Sequence, residues 1–130
     1  MTTATATTTA TVADELVALC RAGRNMDAIN SFYSPDIVSV ESMGNETMPR
    51  ELRGIDAIRG KNQWWYENNV THSATVDGPF VGDDKFAVYY NFDVTFKPTG
   101  KRNSMEEMAL YTVKDGKIVR EQFFYRTTDL

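Results

Sequence analysis

The chain has 130 residues, 42% hydrophobic and 25% charged, with 14 basic and 18 acidic side chains and a formal charge of −4. This describes one ordinary globular domain with room for a real core, and the acidic balance argues against nucleic acid or an anionic membrane as partner. One cysteine excludes an internal disulfide, one Cys and one His cannot build a structural zinc site, and no segment approaches the ~20 apolar residues of a membrane span.

The opening "MTTATATTTAT" is Thr/Ala low complexity. It lacks the basic region and apolar stretch of a secretory signal and reads as a flexible arm over residues 1–11. Residues 12–130 then form a single domain, expected to be cytoplasmic. Val12, Leu16, Leu19 and Cys20 recur at helical spacing, with Gly23 as the stop, and Cys20 reads as a small core hydrophobe. "NMDAINSFY" is a second short helix that Pro35 closes. "DIVSVES" is a strand, "MGNETMPRELRG" a loop, and "IDAIRGKNQWWYENN" a third helix carrying Ile55, Ile58 and Trp65 on one stripe. Trp64 and Trp65 point about 100° apart, so at most one lines an interior site, and Trp65 is the better choice.

After Asn69 the pattern changes to strands: "VTHSATVDGPF", "KFAVYYNFDVTFK", "RNSMEEMALYTV" and "IVREQFFYRT". Asp115-Gly116 is the strongest hairpin signal. Helices first and an antiparallel meander later make an α+β domain. Within "YYNFDVTF", Asp93 interrupts a run of aromatic and β-branched residues. A carboxylate among so much apolar surface is costly unless paired, hydrogen-bonded or wet. It sits either on an exposed strand or in the wall of a polar pocket.

The strand opening "Y-S-P-D-I-V", the helix opening "G-I-D-A-I" and the closing "D-G-K-I-V-R-E-Q-F-F-Y" resemble the SnoaL-like branch of the nuclear transport factor two-like superfamily, over roughly Val12 to Tyr125. These motifs are structural and nearly silent on function. The resemblance implies a cone, in which a strongly curved antiparallel sheet wraps around three N-terminal helices and leaves an internal pocket. It also implies a homodimer paired through the convex sheet face. Ketosteroid isomerases, polyketide cyclases, limonene-epoxide hydrolase and scytalone dehydratase share this fold, so the fold alone chooses no activity.

Strand faces follow from the hairpins. With Asp115-Gly116 as a two-residue turn, Lys114 pairs with Lys117, Leu110 with Glu121, Met108 with Phe123 and Glu106 with Tyr125. With Pro98 to Lys101 as the preceding loop, Lys97 pairs with Arg102, Asp93 with Glu106 and Asn91 with Met108. Tyr89, Asn91, Asp93, Glu106, Met108, Leu110, Glu121, Phe123 and Tyr125 then share one face. Val88, Tyr90, Phe92, Val94, Glu107, Ala109, Tyr111, Ile118 and Phe124 take the other, although a single bulge would swap part of the assignment. The resemblance selects the first face as concave. Asp93 falls on the aspartate of the arginine-x-aspartate pair of limonene-epoxide hydrolase, with Asn91 in place of the arginine and Phe123 in place of the second catalytic aspartate. Glu41 falls on the general-base aspartate of ketosteroid isomerase, while Val17 and Leu110 fall near its oxyanion tyrosine and aspartic acid. Neither catalytic set is complete.

The expected site therefore combines acids Glu41, Asp93 and Glu106, or Glu107 in an alternative register, with substrate contacts at Trp65, Tyr89, Asn91, Met108, Glu121, Phe123 and Tyr125. Asp93 and Glu106, directly opposite, would share a proton. Glu41 or Asp93 would serve as base and Tyr89 or Tyr125 as oxyanion donor. His72 reads either as a structural histidine or as a switch. The corresponding function is isomerisation, cyclisation, dehydration or hydrolysis of a small, partly apolar molecule, without metal or cofactor. The alternative is a non-catalytic ligand binder, or a dimeric accessory domain with a vestigial pocket.

Overall fold

The computed structural model describes residues 2–126, with side chains from Thr8 onward. Residues 1 and 127–130, which the sequence reading assigned to the arm, the last strand and the domain end, lie outside them. The elements are α1 (Thr2–Arg21), α2 (Asn25–Phe32), β1 (Tyr33–Val40), β2 (Glu51–Arg53), α3 (Ile55–Asn68), β3 (Asn69–Val81), β4 (Lys85–Phe96), β5 (Lys101–Lys114) and β6 (Lys117–Phe124). The six strands form one sheet in the order β2-β1-β6-β5-β4-β3. This is the expected α+β cone, with one refinement. β1 runs parallel to β6, so the sheet is mixed.

The first correction concerns the Thr/Ala arm. From Thr2 on it is the start of α1, and Thr9 is fully buried. Alanine is the best helix former. Thr9, Ala13, Leu16 and Cys20 recur every three or four residues, so the arm's last turn extends the same buried stripe. That stripe packs on β3 and β4. Its core partners are Phe86, Val88 and Tyr90 of β4 and Tyr111 and Val113 of β5. Phe86 stacks on Tyr111 at 4.7 Å between ring centroids. Burying each such side chain contributes ~1.5–3 kcal/mol, which makes this inner face the main anchor of the fold.

The hairpin registers decide which residues face inward. Asp115 and Gly116 both have positive φ (53° and 76°), and Lys114 pairs with Lys117 as expected for a two-residue turn. One step further, the pairing slips. Val113 faces Ile118 but Thr112 faces Arg120, so Val119 is an extra residue in β6. This bulge moves Glu121 opposite Tyr111 and Phe123 opposite Ala109, and places Phe124 opposite Met108. In the other hairpin the turn is Lys97–Gly100 and Phe96 pairs with Lys101. Asp93 then faces Ser104 and Asn91 faces Glu106. This differs from the expected register by two residues, which preserves the faces of β4 and β5.

Candidate functional site

The inner face is the one that carries Val88, Tyr90 and Tyr111, and not the one containing Asp93. The residues expected at a convex interface are therefore core, with Phe124 the exception. Tyr90 is 3% exposed, its hydroxyl 2.8 Å from that of Tyr111 and 3.7 Å from the Cys20 sulfur. Phe92 packs against Trp65 of α3, with ring centroids 5.7 Å apart.

Several expected site residues lie on the outer face. The Asp93 carboxylate accepts two hydrogen bonds from the Arg102 guanidinium, at 2.9 and 2.7 Å. That contact holds its pKa below the usual carboxylate value. Glu106 accepts from the Tyr89 hydroxyl at 2.5 Å and from Arg126 at 2.9 Å, and its pKa is lowered too. Asn91 accepts from Ser104, and Met108 is 46% exposed. Asp93 and Glu106 are thus not opposite one another, and each has a cation of its own instead of a shared proton. His72 is also exposed, hydrogen-bonded to Thr95.

The structure brings other expected residues together on the inner side. Glu41, Glu121 and Phe123 lie around the ammonium of Lys61, Tyr125 lies beside Glu41, and Trp65 follows Lys61 by one turn of α3. Ser39 and Glu41 point to the same side of β1 because they are two residues apart. Lys61 reaches them from α3, its ammonium donating to the Ser39 hydroxyl and to Glu41 Oε1, both at 2.8 Å. It also lies 5.2 Å from the centroid of the Phe123 ring. Glu121 is 2% exposed. Tyr33 donates to its Oε1, Ser39 to its Oε2 at 2.6 Å, and the Lys61 nitrogen is 3.9 Å away. Desolvation raises its pKa against those three stabilising contacts. The Tyr125 phenol, beside Glu41, is pushed up to about 12, by desolvation first and by the Glu41 charge second.

Two polar groups on this side were not named as site residues or were left as alternatives. Glu107 on β5 shares the inner face with Ala109 and Tyr111 and lies opposite Tyr90. It makes no hydrogen bond to the described residues. Desolvation pushes its carboxyl up to about 8, with the charges of Glu41 and Glu121 adding to the rise and Lys61 opposing it. Asn62 follows Lys61 on α3, and its side-chain nitrogen is buried without a partner. Lys61 was missed because a lone lysine in a helix carries no motif. Its one legible mark is the spacing Ile58, Lys61, Asn62, Trp65, one helical stripe turned toward the sheet. Among the described residues no group of three or more His, Cys, Asp or Glu side chains is arranged to hold a metal ion. None of their helices is long and apolar enough to cross a membrane.

Residues 7–125 match the model of the SnoaL-like domain. The chain belongs to the SnoaL-like family. A SnoaL-like protein from Mesorhizobium loti, provisionally named a polyketide cyclase with carbohydrate phosphatase as a second name, is 42% identical. The match covers 89% of this chain and 97% of that one, with a TM-score of 0.84. A SnoaL-like structure from Jannaschia sp. CCS1, also provisionally named a polyketide cyclase, is 14% identical over 96% of this chain and 90% of its own, at a TM-score of 0.75. A Bacillus subtilis protein provisionally named an isomerase is 15% identical over 93% and 88%, at 0.74. The latter two similarities concern the SnoaL-like fold alone. No curated protein matches the chain significantly.

Proposed function

We propose that the inner face is a small-molecule pocket that catalyses cofactor-independent proton transfer, isomerising, cyclising, dehydrating or hydrating a small, partly apolar substrate. The observation that carries this is Glu107, a carboxyl with no hydrogen-bond partner, desolvated to about 8 and set beside the Lys61-bridged pair Glu41 and Glu121. A group with that pKa holds its proton at neutral pH and can still release it, which suits general acid catalysis. Glu41 is the complementary base, oriented by Lys61. Glu121, locked by Tyr33 and Ser39, fixes the position of Lys61. Trp65, Phe92 and Phe123 supply apolar walls. The provisional cyclase name of the 42% identical Mesorhizobium loti protein supports an activity of this class.

The test is a turnover screen of small ring ketones, enols and epoxides on the native protein and on Glu107→Gln. Loss of ~100-fold or more in a folded variant supports the assignment. Turnover that survives moves the chemistry to other residues. Ligand binding without turnover in either protein favours the non-catalytic binder.

The outer face supports a second reading, about assembly. Met108 and Phe124 lie directly opposite on β5 and β6, 46% and 47% exposed. Paired apolar side chains in such a position fit a partner sheet of a second copy. Sedimentation of the native chain and of Phe124→Glu distinguishes a dimer through this face from a monomer.

A further inference from the structure

The loop between β1 and β2 starts at Glu41 and is fastened beside it by Tyr125. Its neck is closed at Arg50. The Glu41 N–H donates to the Arg50 carbonyl at 2.8 Å, and the Arg50 guanidinium donates back to the Glu41 carbonyl at 2.9 Å. Gly44 lies so close to the Arg50 backbone that a Cβ there would overlap it. Asn45 orders the tip, its side-chain oxygen accepting from the amides of Thr47 and Met48. The loop is held to the sheet by β6. The ladder between β1 and β6 ends at Val40 and Gln122. Past it, the Ser42 hydroxyl donates to the Phe123 carbonyl at 2.8 Å and accepts from the Tyr125 amide at 3.1 Å. That clamp sets the Tyr125 phenol between two partners, the Glu41 carboxylate and the Met43 backbone amide. Chemistry fixes the directions. An amide N–H only donates and a carboxylate only accepts, so the phenol oxygen accepts from Met43 and its hydrogen goes to Glu41.

We infer that Tyr125 is a positioning residue that ties the β1–β2 loop to the charge on Glu41, holding the loop firmly while that carboxylate is ionised and loosening it when the carboxylate is neutral. A hydrogen bond to an ionised acceptor is roughly twice as strong as one to a neutral acceptor. A phenol that donates strongly also accepts more strongly, so the charge on Glu41 is felt at Met43. The coupling stands on these contacts, and its use in catalysis rests on the proton-transfer reading above. There, Glu41 takes a proton from the substrate while Glu107 gives one up. The product state therefore carries a neutral Glu41 and a loosened loop. The loop tightens again once the two acids have exchanged that proton with water.

Amide hydrogen exchange on the full chain tests the coupling without a substrate, because exchange of an ordered amide reports how often its hydrogen bond opens. The Met43 amide is followed by NMR in the native protein, Tyr125→Phe, Glu41→Gln and the double variant, with the amides of the Asp115-Gly116 turn as reference. Tyr125→Phe keeps the ring and removes the acceptor, so Met43 should exchange about tenfold faster. Glu41→Gln keeps an acceptor and removes the charge, so Met43 should exchange about threefold faster. Added to Tyr125→Phe, Glu41→Gln should change nothing further, an outcome that a merely structural tyrosine does not produce. If Glu41→Gln does not fold, Glu41→Asp, which draws the carboxylate away from the phenol, gives the same comparison. Met43 exchange that ignores Glu41, or responds to it as much without the phenol as with it, overturns the coupling. The turnover screen fails separately. Coupling without turnover keeps the role of Tyr125 and removes its catalytic use, and turnover without coupling keeps the proton transfer and removes the role of Tyr125.

Discussion

The sheet carries a tyrosine–glutamate hydrogen bond on each side, and the two behave in opposite ways. Outside, Tyr89 donates to Glu106, Arg126 adds a second contact, and the acid's pKa falls. Inside, Tyr33 donates to Glu121, Ser39 and Lys61 add theirs, and the acid's pKa still rises. Donors and a nearby cation are present in both. The difference is water. Outside, hydration of the charged form is kept and the contacts only add to it. Inside, desolvation penalises the charged form by more than the contacts return. Carboxyls with raised pKa values therefore lie on the inner face and those with lowered values on the outer, although each face pairs an acid with a phenol.

Removing one acid from each pair tests this most severely. Glu121→Ala strands the Tyr33 and Ser39 hydroxyls and leaves Lys61 without one of its two carboxylates. It should cost ~3–5 kcal/mol in chemical denaturation, whereas Glu106→Ala should leave the midpoint unchanged. Equal losses would end the distinction.

A second test uses pH. Glu107 has a pKa near 8 when folded, against 4.5 for the ordinary side chain, so the folded state binds more protons across that interval. Its contribution is fully present below about 4.5 and is lost as pH rises through about 8. Full burial would make this ~5 kcal/mol. The side chain is partly open to solvent, which reduces it to ~2 kcal/mol. Glu107→Gln should flatten the fall in stability between pH 5 and pH 9, measured as the urea midpoint at each pH. An unchanged slope would place the carboxyl in water.

Lys61→Met sharpens the comparison further. It removes the one charge that holds Glu107 down, so the Glu107 carboxyl signal should titrate above its native value in NMR, with a stability loss of ~1 kcal/mol. The smallest effect is expected at Asp93→Asn. Its bidentate partner Arg102 is exposed, and exposed pairs contribute little. Turnover and melting temperature should both stay unchanged. A large loss of turnover would return Asp93 to the site.

The order of elements and the two-residue turn at Asp115-Gly116 were legible because periodicity and turn chemistry are local. The site was half legible. Of the expected site residues, Glu41, Glu121 and Phe123 lie around Lys61 with Tyr125 beside Glu41, Trp65 packs on Phe92, and Asp93, Glu106, Tyr89, Asn91 and Met108 face outward. Two causes account for the difference. The extra residue Val119 lies in a run, Ile118 to Arg120, with no glycine or proline to mark a bulge. The face of β4 was legible in hydrophobicity. Val88, Tyr90, Phe92 and Val94 are more apolar than Tyr89, Asn91, Asp93 and Thr95, and the buried side of a strand is the apolar one. The resemblance of Asn91-x-Asp93 to the arginine-x-aspartate pair of limonene-epoxide hydrolase points to the opposite face. Lys61 was not legible, since its role depends on how α3 packs on β1 and β4.

The parallel pairing of β1 with β6 has a consequence for when the site comes into being. Ser39 bonds to Glu121 across 82 positions of chain and Tyr33 to the same acid across 88. Contacts so remote in sequence carry a large loop-closure cost and are made late. During synthesis, α1, α2, β1 and α3 leave the ribosome with Lys61 already able to reach Glu41, while the acid that fixes them is still untranslated. Maturation of the cluster is therefore coupled to docking of β6, and a nascent or clipped chain without that strand keeps Glu41, Lys61 and Glu107 but lacks Glu121 and the Phe123 ring that hold Lys61 in place.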